Sequence, residues 1–132
     1  MCARSALAAL VLAAACAAAF AQEKLRVTGL YSSMKFGTED VTGVEIYVVY
    51  SLAQSREAYY AIVQCAEGVP GKPLVVKLAV NKSNIQFVVP EDRETLCPSG
   101  TFTGTVSAKG LKGKFERMDW PGFLPRKKGY WQ

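Results

Sequence analysis

Few side chains here are able to do chemistry. Cys65 and Cys97 are one pair of thiols, and Cys2 and Cys16 sit in an apolar leader. Acids gather at Glu39-Asp40, Glu91-Asp92 and Glu94, and Arg126-Lys127-Lys128 shortly precedes Tyr130 and Trp131. The chain of 132 residues has no histidine. That excludes a Ser-His-Asp triad, a Cys-His pair and any His-ligated zinc or haem. Carboxylates alone could still act as acid and base, but these fall in turn-forming stretches, where charge is ordinarily solvated. They lack the D-x-D-x-D-G spacing of a calcium loop, and no Gly-rich phosphate loop follows a strand. Neither Cys65 nor Cys97 has a CxxC partner. The expectation is a non-catalytic chain without metal or cofactor, in which Cys65 and Cys97 form a disulfide.

A disulfide needs an oxidising compartment, and the N-terminus indicates a route to one. Arg4 precedes an unbroken run of small and apolar residues from Ala6 to Phe20, and Ala19-Phe20-Ala21 offers an A-x-A cleavage site. This pattern predicts a secretory signal over residues 1–21, with residues 22–132 as one small domain. The apolar run is too short and too Ala-rich for a good membrane span, so no transmembrane segment is expected in the mature chain. Ala13-Ala14-Ala15-Cys16 resembles a bacterial lipoprotein box, in which Cys16 would be acylated. Ala13, however, stands where such boxes usually carry Leu. Export to the periplasm or medium by simple cleavage is the preferred reading, and the Ala-rich leader suggests a bacterial protein.

The elements that must position these residues are strands. Ala58 to Val89 reads as three runs of β-branched, aromatic and apolar residues: Ala58 to Cys65, Leu74 to Val80, and Ile85 to Val89. They are separated by the turn-formers Glu67 to Pro73 and Asn81 to Asn84, which is the pattern of an antiparallel meander. Leu25 to Tyr31 and Val44 to Tyr50 are earlier strands, Met34 to Phe36 is a short extension, and Ser51 to Glu57 is a loop or a helical turn. Pro90 to Gly100 is a loop pinned by Cys97. Near the end, Phe102, Gly104 and Val106 alternate before a turn at Ser107 to Gly110, and Leu111, Gly113 and Phe115 alternate after it. A four-residue loop places Val106 opposite Leu111, Gly104 opposite Gly113 and Phe102 opposite Phe115. Paired inward glycines mark sharp coiling, as at the corner of a small closed barrel. Trp120-Pro121-Gly122 reads as a turn, which leaves Lys128 to Gln132 as the closing strand.

The count is seven or eight short antiparallel strands. That architecture is similar to the small up-and-down barrels of the calycin type, such as lipocalins and streptavidin. A β-sandwich is the alternative.

Binding residues follow from this frame. Gln64 is the polar residue of YYAIVQC and could face the interior or solvent. Tyr60 belongs to a set of tyrosines (Tyr31, Tyr47, Tyr50, Tyr59, Tyr60, Tyr130) that could wall a barrel or line a site. Tyr130 and Trp131 could plug the barrel or seal its edge, and with Gln64 and Tyr60 they are the candidates for ligand contact. The formal charge is +5, and the excess basic residues cluster from Lys109 onward. This is a local patch rather than the field of a nucleic-acid binder, and no nucleic acid is expected. Arg126, Lys127 and Lys128 could hold an anionic surface. Two functions follow. One is a small apolar or amphipathic ligand held in the barrel interior or mouth. The other is an interaction module for an envelope or secreted protein, using loops and the basic end.

Overall fold

Period-two alternation decides this fold. The computed structural model describes residues 25–129; the readings on residues 1–21, Cys16, Tyr130 and Trp131 lie outside them. The strands are β1 (Gly29–Ser32), β2 (Lys35–Phe36), β3 (Val41–Ser51), β4 (Ala58–Pro70), β5 (Leu74–Asn81), β6 (Asn84–Val89), β7 (Gly100–Val106), β8 (Gly110–Phe115) and β9 (Met118–Lys127). From β3 to β9 each pairs antiparallel with the next, and β1 pairs with both β3 and β9. Eight strands therefore close into an antiparallel barrel. The ninth, β2, continues the β1 register on β3: Ser32 faces Glu45 and Lys35 faces Thr42.

Each strand sends one side of its alternation inward. In β6, Ile85, Phe87 and Val89 are buried, while Asn84, Gln86 and Val88 are exposed. Val44, Ile46 and Val48 of β3 and Ala61, Val63 and Cys65 of β4 behave alike. Each large apolar side chain so buried contributes about 1.5–3 kcal/mol. The barrel's centre is filled by Tyr31, Ile46, Ile85, Phe102, Leu111, Phe115 and Leu124, all fully buried.

The last hairpin has the register its sequence implies, with Val106 opposite Leu111, Gly104 opposite Gly113 and Phe102 opposite Phe115. The room those glycines leave is taken by a neighbour. A Cβ on Gly113 would stand 2.4 Å from the Phe102 ring, and one on Gly104 3.2 Å from it. Phe102 stacks on Phe87 at 4.7 Å and meets Phe115 edge-on at 5.1 Å.

The Cys65–Cys97 disulfide is formed, with a Cα separation of 5.2 Å. It fastens the loop between β6 and β7 to β4. The same loop is held to the β4–β5 turn by Lys72, whose N–H donates to Glu94 O and whose Nζ pairs with Asp92 and Glu94. Asp92 also accepts the Glu94 N–H, and that bond, followed by Lys72, holds its carboxyl below the usual range. Asp92 thus favours the fold above the ordinary carboxylate pKa, an effect lost as pH falls through the lowered folded value.

The closing strand is β9, not the segment Lys128 to Gln132. Leu30 faces Lys127 and Tyr31 faces Arg126, and Lys128 lies beyond the pairing. Trp120-Pro121-Gly122 is not a turn but part of β9. Strands also start or end differently from the sequence reading: β1 begins at Gly29 rather than Leu25, and β4 runs on to Pro70.

Candidate functional site

The barrel wall is not continuous along its closing seam. Only two residue pairs join β1 to β9, after which the strands diverge. Proline explains this. The Arg126 N–H donates to Lys109 O, on the β8 side. Alternation then turns residues 121, 123 and 125 of β9 towards β1 and β2, and two of these, Pro121 and Pro125, have no N–H to donate. On the facing edge the Met34 N–H is already donated to Ser32 Oγ. Both edges thus lack donors that a longer ladder would use, and the seam opens.

The opening is a cleft of about 710 Å³. Ser33, Lys35, Thr42 and Gly43 line one side and Met118, Asp119, Trp120 and Pro121 the other, with Ala66, Glu67, Leu96 and Pro98 at one end. Trp120 is half-buried, stacked on Phe115 at 5.7 Å, so it separates the cleft from the core. Met118 and Leu96 are exposed at 47% and 37%. The rim charges are mixed: Lys35 on one side, Asp119 on the other and Glu67 at one end, with Asp119 paired to Lys114 at 3.3 Å. An apolar floor with a balanced polar rim suits an uncharged or zwitterionic amphiphile, or one apolar side chain. The described residues hold no group of three or more metal-ligating side chains.

None of these cleft residues is singled out by the sequence reading. The available signal was Trp120 itself: a large aromatic beside two breakers, Pro121 and Gly122, fits an edge strand as well as a turn.

The residues singled out lie elsewhere. Gln64 and Tyr60 are on the outer face of β4, out of phase with the buried Ala61, Val63 and Cys65. The Gln64 amide donates to Gly71 O at 2.9 Å and helps hold the β4–β5 turn. Gln64 also lines a small outer hollow of about 210 Å³ with Leu30, Tyr47 and Ile62, and Gly129 lies against it. Tyr60 faces Val49 and Lys77.

The basic triplet is divided by the strand. Lys127 and Lys128 are exposed, but Arg126 is half-buried. Its guanidinium donates to Arg26 O at 2.8 Å, Thr28 O at 3.0 Å and Ser107 O at 3.3 Å, and lies 4.8 Å from the Tyr31 ring centre. Arg126 is therefore a clasp on the seam's paired end. Burial raises the Tyr31 phenol above its ordinary value, partly offset by Arg126. Stability should consequently fall as pH rises through the ordinary tyrosine value, where the unfolded chain ionises first. Arg126→Gln is expected to cost about 1–2 kcal/mol in urea denaturation, from lost charge-assisted hydrogen bonds and ring contact. Lys127→Gln and Lys128→Gln should change stability by less than about 0.5 kcal/mol. Equal stability of all three variants would contradict the clasp.

The chain matches no protein-family model, no curated protein and no solved structure.

Proposed function

We propose that this protein is an exported, non-catalytic binding module that receives a small apolar or amphipathic group in the seam cleft, on the wall of the barrel rather than inside it. The observation that carries the reading is Trp120: one face rests on Phe115 of the packed core, and its surroundings open into a cleft bordered by exposed Met118 and Leu96. A side-chain-filled centre gives a ligand no room, whereas the cleft combines apolar surface with hydrogen-bonding groups at its rim. Export rests on the leader pattern at residues 1–21 and agrees with the disulfide.

A second reading shares this site. Phe36, on β2 next to Lys35 of the cleft, is 78% exposed. Such a ring is an anchor for an envelope or secreted partner protein, whose own apolar side chain would fill the cleft.

Dodecylphosphocholine, kept below its micelle concentration, is the probe for the first reading, followed by calorimetric titration. Saturable binding is expected, and Trp120→Ala should weaken it by about tenfold or more. Met118→Asp, an exposed position that leaves the core alone, should do the same. Binding that is unchanged in both variants would overturn the cleft. A stable protein captured from periplasmic extract and lost on Phe36→Asp would favour the second reading.

A further inference from the structure

A second depression, of about 770 Å³, crosses the outer face of β5 to β9. Its floor is a single register line: Val80 faces Ile85, Ile85 faces Gly104, Gly104 faces Gly113, and Gly113 faces Gly122. Val80 and Ile85 turn their side chains to the core and the rest are glycine, so the floor is backbone. Over β6 to β8 two rows of exposed side chains border it. Gln86, Thr103 and Lys114 stand on one side, and Asn84, Thr105 and Lys112 on the other. The rows are two residues apart along each strand, roughly 7 Å, and five strands make the floor roughly 19 Å long.

Over β6 to β8 the chemistry of the rows is uniform; on β5 they end in Ala79 and Asn81, and the Asp119 carboxylate lies at the β9 end. All six side chains end in an amide, a hydroxyl or an ammonium group. Thr105 Oγ1 donates to Asn84 Oδ1 at 3.0 Å, which fixes both side chains and leaves the Asn84 N–H groups and the Thr105 lone pairs for a ligand. Lys114 is neutralised by Asp119. Lys112 has no ion-pair partner among the described residues.

We propose that this groove binds an extended acidic polysaccharide laid across the strands. Its successive hydroxyls meet the amide and hydroxyl rows, and one carboxylate or sulfate meets Lys112. The width admits one extended chain. A peptide would need an unpaired strand edge or side-chain pockets, and β6, β7 and β8, which carry both rows, are paired on both sides. Nucleic acid would need several uncompensated cations and stacking rings, whereas the groove offers one such lysine and no ring lines it.

The test is calorimetric titration of the full mature chain with a linear uronic-acid hexamer, a neutral hexose hexamer and oligothymidylate. The uronate hexamer should bind saturably and more tightly than the other two. Lys112→Gln should lower its affinity by about tenfold or more, as should the double substitution Asn84→Ala with Thr105→Val. These side chains point outward, so melting should stay that of the wild type. Trp120→Ala should leave uronate binding unchanged, which separates this groove from the seam cleft. Four results would overturn the proposal: no saturable uronate binding, binding indifferent to the groove substitutions, equal affinity for the neutral hexamer, or tighter binding of oligothymidylate to the same residues.

Discussion

Phe102→Ala is expected to lower the free energy of unfolding by about 3–5 kcal/mol, the range for truncating a buried Phe. Phe102 is fully buried and stands between Phe87 and Phe115. It also lies over Gly104 and Gly113, which have no side chains to move into the vacated space. Relaxation should therefore be small and the loss near the upper end of that range. The void would be dry and apolar, so benzene should stabilise the variant and leave the wild type unaffected. Urea denaturation with and without benzene reads both effects. The converse change, Gly113→Val, drives a side chain into the same ring and should also destabilise. A Phe102→Ala protein within 1 kcal/mol of the wild type would mean that the centre is not packed as described.

Cys97→Ser is expected to cost about 2–5 kcal/mol. The bridge closes a loop with a sequence separation of 32, for which the chain-entropy account gives roughly 3–4 kcal/mol. More than entropy is at stake. The β6–β7 loop reaches β4 and the β4–β5 turn through the disulfide, the Lys72 bonds and the fit of Gly71 against Thr95, where an added Cβ would stand 2.2 Å from Thr95 O. Thr95 is itself buried, donating to Asp92 O and accepting the Cys97 N–H. Freeing Cys97 should loosen this set together, and Leu96 and Pro98 of the seam cleft with it. Denaturation of the oxidised protein and of Cys97→Ser under the same conditions measures the difference. Two free thiols in the unfolded native protein would refute the bridge.

What the sequence made legible was local. Alternation and the Gly110 turn gave the last hairpin its register, because a hairpin's pairing depends only on neighbouring residues. Two cysteines without histidine or a CxxC partner pointed to a bridge. The closing strand was not legible. Pro121 and Gly122 read as a turn, yet with Pro125 they sit in β9, because its free edge makes no ladder there. That edge exists only once β1 returns to close the barrel, a contact between opposite ends of the chain. For the same reason Arg126 reads as one of three surface bases. Its partners, Arg26 and Thr28, are about as far away in the chain as residues here can be. The paired glycines were visible as a place of sharp coiling, but not the Phe102 ring that packs over them, since its position depends on β6 and β8 together.

The central claim is that binding happens at the seam on the wall of a filled barrel. Backbone amide shift mapping of residues 22–132, titrated with monomeric dodecylphosphocholine, tests it most directly. The account predicts saturable shifts centred on Ser33, Thr42, Leu96, Met118 and Trp120, with the core amides of Phe87, Phe102 and Leu111 barely moved. Shifts centred on those core residues would contradict it, because they would place the ligand inside the barrel.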